Sequence, residues 1–248
     1  MFLRTTDTRR LLLTGGLLLL LPTLASAEPL SLSADTSLWS RYMWRGLRFS
    51  DGAVIQSSVT GAMYGFSANI WTNYDLRAGK INEIDPTISY SCAYKEVTLG
   101  AGWTHFGVID GDDDDEFYVS ISLANLPLAP TLTCYWDVNL GTGAYIQGSV
   151  SHSFTLTESM SLTFSGAAGY VVDDSYMGVN ANGMEFSDWF SGDLQVALPV
   201  VVAPGVTIQP KAGYSFPLSQ QGKEAINGYG YGTNSCTFYG AVVISAVF

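Results

Sequence analysis

Few residues in this 248-residue chain have the types and spacing that chemistry requires. There are two histidines, His105 and His152, and Ser151-His152-Ser153 sets hydroxyls beside a base. A serine nucleophile needs that base oriented by a third group, and no G-x-S-x-G, P-loop or H-E-x-x-H occurs. No catalytic residue is therefore expected. The densest charge is the run Asp110, Asp112, Asp113, Asp114, Asp115, Glu116. It reads as a solvated loop or as a weak Ca²⁺ or Mg²⁺ site bridging anionic lipopolysaccharide, because hard cations take clustered carboxylates. An EF-hand is excluded, since Asp115 stands where Gly is needed and Ile121 where the closing Glu belongs. No cofactor and no built metal centre are expected. Cys92, Cys134 and Cys236 are an odd set and read as apolar thiols, not as a disulfide. The most informative charges are Arg41, Arg45, Arg48, Arg77 and Lys80, gathered in one 40-residue stretch, with Asp35, Asp75, Asp137, Asp193 and Lys211 elsewhere. If these face one another across a pore, they order polar solutes in a constriction; otherwise they brace its wall.

What could position them is a series of strands. Period-two alternation recurs along the chain: Leu32, Ala34 and Leu38 against Ser33, Asp35 and Ser37; Phe66, Ala68 and Ile70 against Ser67 and Asn69; Phe117, Val119 and Ile121 against Tyr118 and Ser120; Phe190, Leu194 and Val196 against Ser191, Asp193 and Gln195. Twelve such segments of about ten residues can be marked out. With faces chosen by apolar residues alone, Asp35, Arg41, Asp137, Asp193 and Lys211 all fall on the opposite face. A transmembrane antiparallel β-barrel requires this, because an outward Lys or Arg at mid-bilayer costs about 2 to 4 kcal/mol. Connections alternate between compact ones (Tyr64-Gly65, Lys95-Glu96) and long ones (Tyr42 to Gly52, Leu76 to Ile84, Gly107 to Glu116, Val171 to Glu185, Pro217 to Ser235). Short periplasmic turns and long external loops are the outer-membrane arrangement. The tight Gly141-Thr142-Gly143 link breaks the rule: either one external loop is short or the count is off by a hairpin.

Residues 1–27 read as an export signal. Arg4, Arg9 and Arg10 precede the apolar run Leu11 to Leu21, and Ala25-Ser26-Ala27 is an A-x-A cleavage pattern. Residues 28–248 then form the barrel. The formal charge is −11, and −13 without the leader, which excludes nucleic acid as a partner. Only 13% of residues are charged, against about 25% in an ordinary soluble chain. A secreted β-sandwich also alternates, but its outer faces should be rich in Lys and Glu, whereas these are Ser, Thr, Gly and Asn. Phe248 ends the chain as an aromatic on an outward-facing strand, the form read by the barrel-assembly machinery.

Ser40-Arg41-Tyr42-Met43-Trp44-Arg45-Gly46, Ser50-Asp51-Gly52, Gln56, Gly65-Phe66, Trp71 and Glu83-Ile84-Asp85 before Tyr90 resemble the opening of the TorF-type outer-membrane porins, over residues 37 to 90. In that family a Tyr-x-x-Arg-Gly segment follows the first strand, and Pro often stands where this chain has Ala53. The resemblance implies a barrel and passive transport. The expectation is a narrow porin for small polar solutes, embedded in outer-membrane lipid and lipopolysaccharide. The alternatives are a closed structural or surface-binding barrel, and a lipid-modifying enzyme using His152.

Overall fold

A strand that is apolar on one face and polar on the other needs a different solvent on each side, and closing the sheet into a ring provides both while leaving no unpaired edge. The computed structural model describes residues 30–229, 231 and 234–248; the leader reading falls outside them. In chain order the strands are β1 (Ser31–Trp39), β2 (Met43–Trp44), β3 (Leu47–Arg48), β4 (Val54–Met63), β5 (Phe66–Asp75), β6 (Lys80–Tyr94), β7 (Val97–Val108), β8 (Asp114–Ser122), β9 (Thr131–Asp137), β10 (Ala144–Thr157), β11 (Met160–Val172), β12 (Ser187–Ala197), β13 (Val200–Ala203), β14 (Val206–Pro217) and β15 (Thr237–Val247). A 3-10 turn (Ser175–Met177) precedes β12, and one short helix, α1 (Gln220–Gly228), precedes β15. Twelve strands form a closed antiparallel barrel. Each wall strand pairs with its neighbour in the chain, and the ring closes where Ser33 to Trp39 of β1 meet Val247 to Ala241 of β15. β2 and β3 form a separate ribbon, while β13 extends one turn.

The barrel is apolar outside and polar inside. Val59, Ile70, Ile88, Leu194 and Phe238 point outward and are exposed, whereas Ser37, Asn73, Asp137, Ser215 and Thr237 point inward and are buried. Free Cys92 and Cys134 sit opposite outward Leu99 and Val119, as alternation requires. One end has tight turns, such as Tyr64-Gly65 with φ of 55° and 82°. The other carries the long links. The Gly141 region is a short loop at this long-loop end (138–143), so the count of twelve holds. Any side chain at Gly141 or Gly143 would collide with Asp174.

Two features depart from simple alternation. The strands run further than expected at the long-loop end, so the link read as Leu76 to Ile84 shrinks to 76–79 and the one read as Gly107 to Glu116 to 109–113. Glu83, Asp85, Asp114, Asp115 and Glu116 therefore lie on the wall. Pro86 cannot donate to the ladder, and Asp85 accepts the Gly107 N–H of β7 at 3.2 Å. A register shift between β11 and β12 sets Ala168 opposite Gly192 but Tyr170 opposite Trp189. The added residue reverses the alternation, so Phe190, expected outside with Leu194, is turned inward and fully buried.

Phe190 joins Leu47, Tyr145, Val171, Met177, Phe186, Ala225 and Ile226 in an apolar cluster inside the long-loop end. Each large side chain fully buried there contributes roughly 1.5–3 kcal/mol. The expected lining of small polar groups holds for the short-turn half, with Ser58, Asn69 and Ser120. The other half is largely filled.

Candidate functional site

The filling begins at Trp44-Arg45-Gly46-Leu47. Met43 pairs with Arg48 and Trp44 with Leu47, leaving Arg45 and Gly46 as a two-residue turn with φ of 50° and 91°. Such turns need positive φ at both central residues and normally use Asn-Gly or Asp-Gly; here Arg occupies the first place. The base of the hairpin is fastened where the Tyr42 N–H donates to Ser50 Oγ (2.8 Å), the Phe49 N–H to the Tyr42 carbonyl (2.9 Å) and Ser50 Oγ to the Gly52 carbonyl (2.7 Å).

From that base the hairpin crosses the lumen. Arg45 donates through Nη1 and Nη2 to both oxygens of Glu116 on β8, at 2.5 and 2.8 Å. Its guanidinium carbon lies 4.0 Å from the ring centre of Tyr135 on β9, 4.8 Å from Tyr145 on β10 and 4.3 Å from Trp44. The two charged side chains are only 9% and 6% exposed. The Arg45 carbonyl accepts Ser191 Oγ of β12 at 2.8 Å, and Ser191 Oγ lies 3.2 Å from the Tyr145 hydroxyl. A buried charge is tolerable only when paired and hydrogen-bonded, and this one has a bidentate partner and three ring faces. Aromatic contacts complete the seal. Trp44 meets Phe106 (5.8 Å) and Tyr176 (6.0 Å), Tyr42 meets Trp71 (5.6 Å), and Phe49 meets Tyr229 (5.7 Å). Ala225 and Ile226 of α1 close the layer.

Next to the hairpin tip lies a polar cavity of about 190 Å³ lined by Arg45, Tyr145, Gln147, Ser191, Asp193 and Gln195, among others. Asp193 accepts from Tyr239 (2.6 Å) and Gln195 (2.9 Å).

The other charges singled out from the sequence are dispersed. Asp35 accepts Ser58 Oγ at 2.6 Å, and Lys211 lies 5.9 Å from the Trp39 ring, both on the inner wall. Arg41 is half-buried above β1. Arg48 reaches Asp51 at 3.5 Å, with its Nε buried and unpartnered. Asp51 also pairs with Arg77, and Lys80 pairs with Asp110 at 2.7 Å. Asp75 holds the turn at 76–79 by accepting the N–H groups of Arg77 and Ala78. The basic cluster thus divides between the rim and one lumen position, and no opposed Arg and Asp rows form among the described residues. The acidic run diverges too. Asp113 accepts the Val108 N–H, Asp114 that of Leu140, Asp115 meets His105 at 3.1 Å on the outer side, and Glu116 turns inward to Arg45. Asp137 binds the Asn139 N–H and lies beside Asp174. Asp174 accepts the Tyr176 N–H at 3.0 Å, and burial followed by the nearby Asp137 raises its carboxyl to about 6. His152 faces outward against Phe154, 4.5 Å between ring centres.

Glu116, Tyr135, Tyr145 and Ser191 were not identified as partners of Arg45 from the sequence. The available signal was phase, because Glu116 alternates with outward Phe117 and Val119 and so must point inward.

No protein-family model and no curated protein matches the chain. Among solved structures the chain is similar to the NanC porin, with a TM-score of 0.56 at 13% identity over 87% of this chain and 98% of that one. It is also similar to an outer-membrane channel from Pseudomonas putida F1, with a TM-score of 0.51 at 9% identity over 88% of this chain and 95% of that one. The fold is that of outer-membrane porin and channel barrels.

Proposed function

We propose that this protein is a narrow outer-membrane channel of the TorF type, passing small hydrophilic solutes passively after export and removal of residues 1–27. The observation that supports this best is the hairpin: inward Ser58, Asn69 and Ser120 of the short-turn half stay partly solvent-accessible, and one inserted ribbon constricts the other half. A barrel built only as a wall would be more stable with both halves filled. On this reading the short-turn end is periplasmic, the loops Val171 to Glu185 and Pro217 to Ser235 are external beside lipopolysaccharide, and Phe248, highly exposed on the wall, addresses the assembly machinery. The reading is non-enzymatic.

The test is planar-bilayer conductance of the intact barrel and of a variant with Met43–Arg48 replaced by two glycines. The intact protein should give small discrete steps and the variant larger ones. Two folded proteins that conduct nothing would overturn the reading. The apolar seal around Phe190 and Ile226 favours a second reading, a closed surface-binding barrel, for which silence in both is the expected result.

A further inference from the structure

The Arg45 head group sits in a container built almost wholly by other strands. Glu116 supplies a planar two-oxygen acceptor, and Tyr135 and Tyr145 supply ring faces at 4.0 and 4.8 Å. A forked carboxylate contact matches a guanidinium better than an ammonium, which is a point charge, and aromatic faces bind organic cations when desolvated. If the hairpin needed only an anchor, an apolar residue would serve with no charge to bury.

Arg45 holds its charge there from a left-handed backbone, φ 50°, where a residue other than Gly, Asn or Asp is strained by roughly 1–2 kcal/mol, so the turn keeps a guanidinium at a position that disfavours it. One further observation points to a ligand. The surroundings are also acidic: besides Glu116, Asp193 lines the adjoining cavity and Asp174 lies within charge range of Arg45, and among the described residues Arg45 is the only Lys or Arg that forms an ion pair with any of the three. Such a lining concentrates cations, and the 190 Å³ cavity places Arg45 and Tyr145 on its own wall.

We propose that Glu116, Tyr135 and Tyr145 form a binding site for small guanidinium solutes, occupied at rest by the chain's own Arg45 as a resident competitor. A guanidinium compound entering the site takes the two hydrogen bonds to Glu116, and the hairpin tip leaves. The site depends on the channel reading only for the route by which a solute arrives.

The test uses the full barrel in detergent and in vesicles, with agmatine and ethylguanidinium as probes, ethylammonium as the comparison cation and NaCl for ionic strength. Calorimetry should show saturable agmatine binding to Arg45→Ala that is at least tenfold tighter than to wild type, because the competitor is gone. Ethylguanidinium should outbind ethylammonium, and adding Glu116→Gln should abolish both. In wild type, agmatine should shift Trp44 fluorescence saturably, and Trp44→Phe should remove the shift. If Arg45→Ala does not fold, Arg45→Met keeps the unbranched stem without the charge. Absence of saturable binding in the emptied site would overturn the proposal. So would binding there with no agmatine-dependent change in wild type, which would make Arg45 a fixed anchor. Binding without conductance removes the channel reading and leaves the site; conductance without binding does the reverse.

Discussion

Arg45 lowers stability in two ways, as a buried charge and as a side chain on a left-handed backbone. Removing one partner of a buried pair nevertheless costs about 3–5 kcal/mol, mostly because the other charge is stranded. We expect Arg45→Lys to recover only part of this, since an ammonium cannot span both Glu116 oxygens. Urea unfolding of the reconstituted barrel should rank wild type above Arg45→Lys above Arg45→Ala. Gly46 is constrained differently: a Cβ there would lie 2.5 Å from Ser191 Cβ, and φ is +91°. Gly46→Ala should therefore lift the tip without altering any charge, lowering stability by about 1–2 kcal/mol and enlarging conductance steps toward those of the hairpin-less variant. The sequence singled out Arg45 but not its partner. The acidic run at 110–116 looks like one solvated loop when read by composition, and only strand phase separates Glu116 from its neighbours.

The twelve strands and their faces were legible because lipid outside and water inside enforce alternation along each of them. Strand ends were not, since above the bilayer nothing in composition distinguishes a wall from a loop, and by composition Glu83 and Asp114 read as loop residues. Phe190 was placed outside because a bulge leaves no local mark in sequence. The inserted ribbon was equally hidden, as its contacts with β8, β9, β10 and β12 join residues far apart in the chain. The loop containing the 3-10 turn has a titration of its own. Asp174 rises from an ordinary 3.8 to about 6 in the folded barrel, so the folded state holds the proton more tightly than the unfolded one. Stability linked to this group is therefore highest below about pH 4 and falls as pH rises to about 6. Asp174→Asn, whose amide oxygen can still accept the Tyr176 N–H, should reduce that slope. Melting followed by electrophoretic mobility shift across pH 4 to 7 would show it.

Seen whole, the molecule inverts a soluble protein, with its apolar surface outward and its charges enclosed or at the rims. The two faces should therefore respond oppositely to one substitution. Ile70→Arg, on the outer wall midway along β5, should cost about 2 to 4 kcal/mol in vesicles, whereas Asn69→Arg, one residue away and facing the lumen, should cost under about 1 kcal/mol; urea titrations of both variants decide this. Ring closure is also the longest-range event in the chain, because Ser40 and Gly240, 200 residues apart, exchange hydrogen bonds across the seam. The hairpin follows β1 directly and is tied to Ser191, 146 residues ahead. Once that tie is made, the span still to be closed is about a quarter of the original, which lowers the entropic cost of closure by about 1 kcal/mol. The ribbon that narrows the finished barrel thus also draws the first strand toward the last during assembly, and its variants should complete their seams several-fold more slowly.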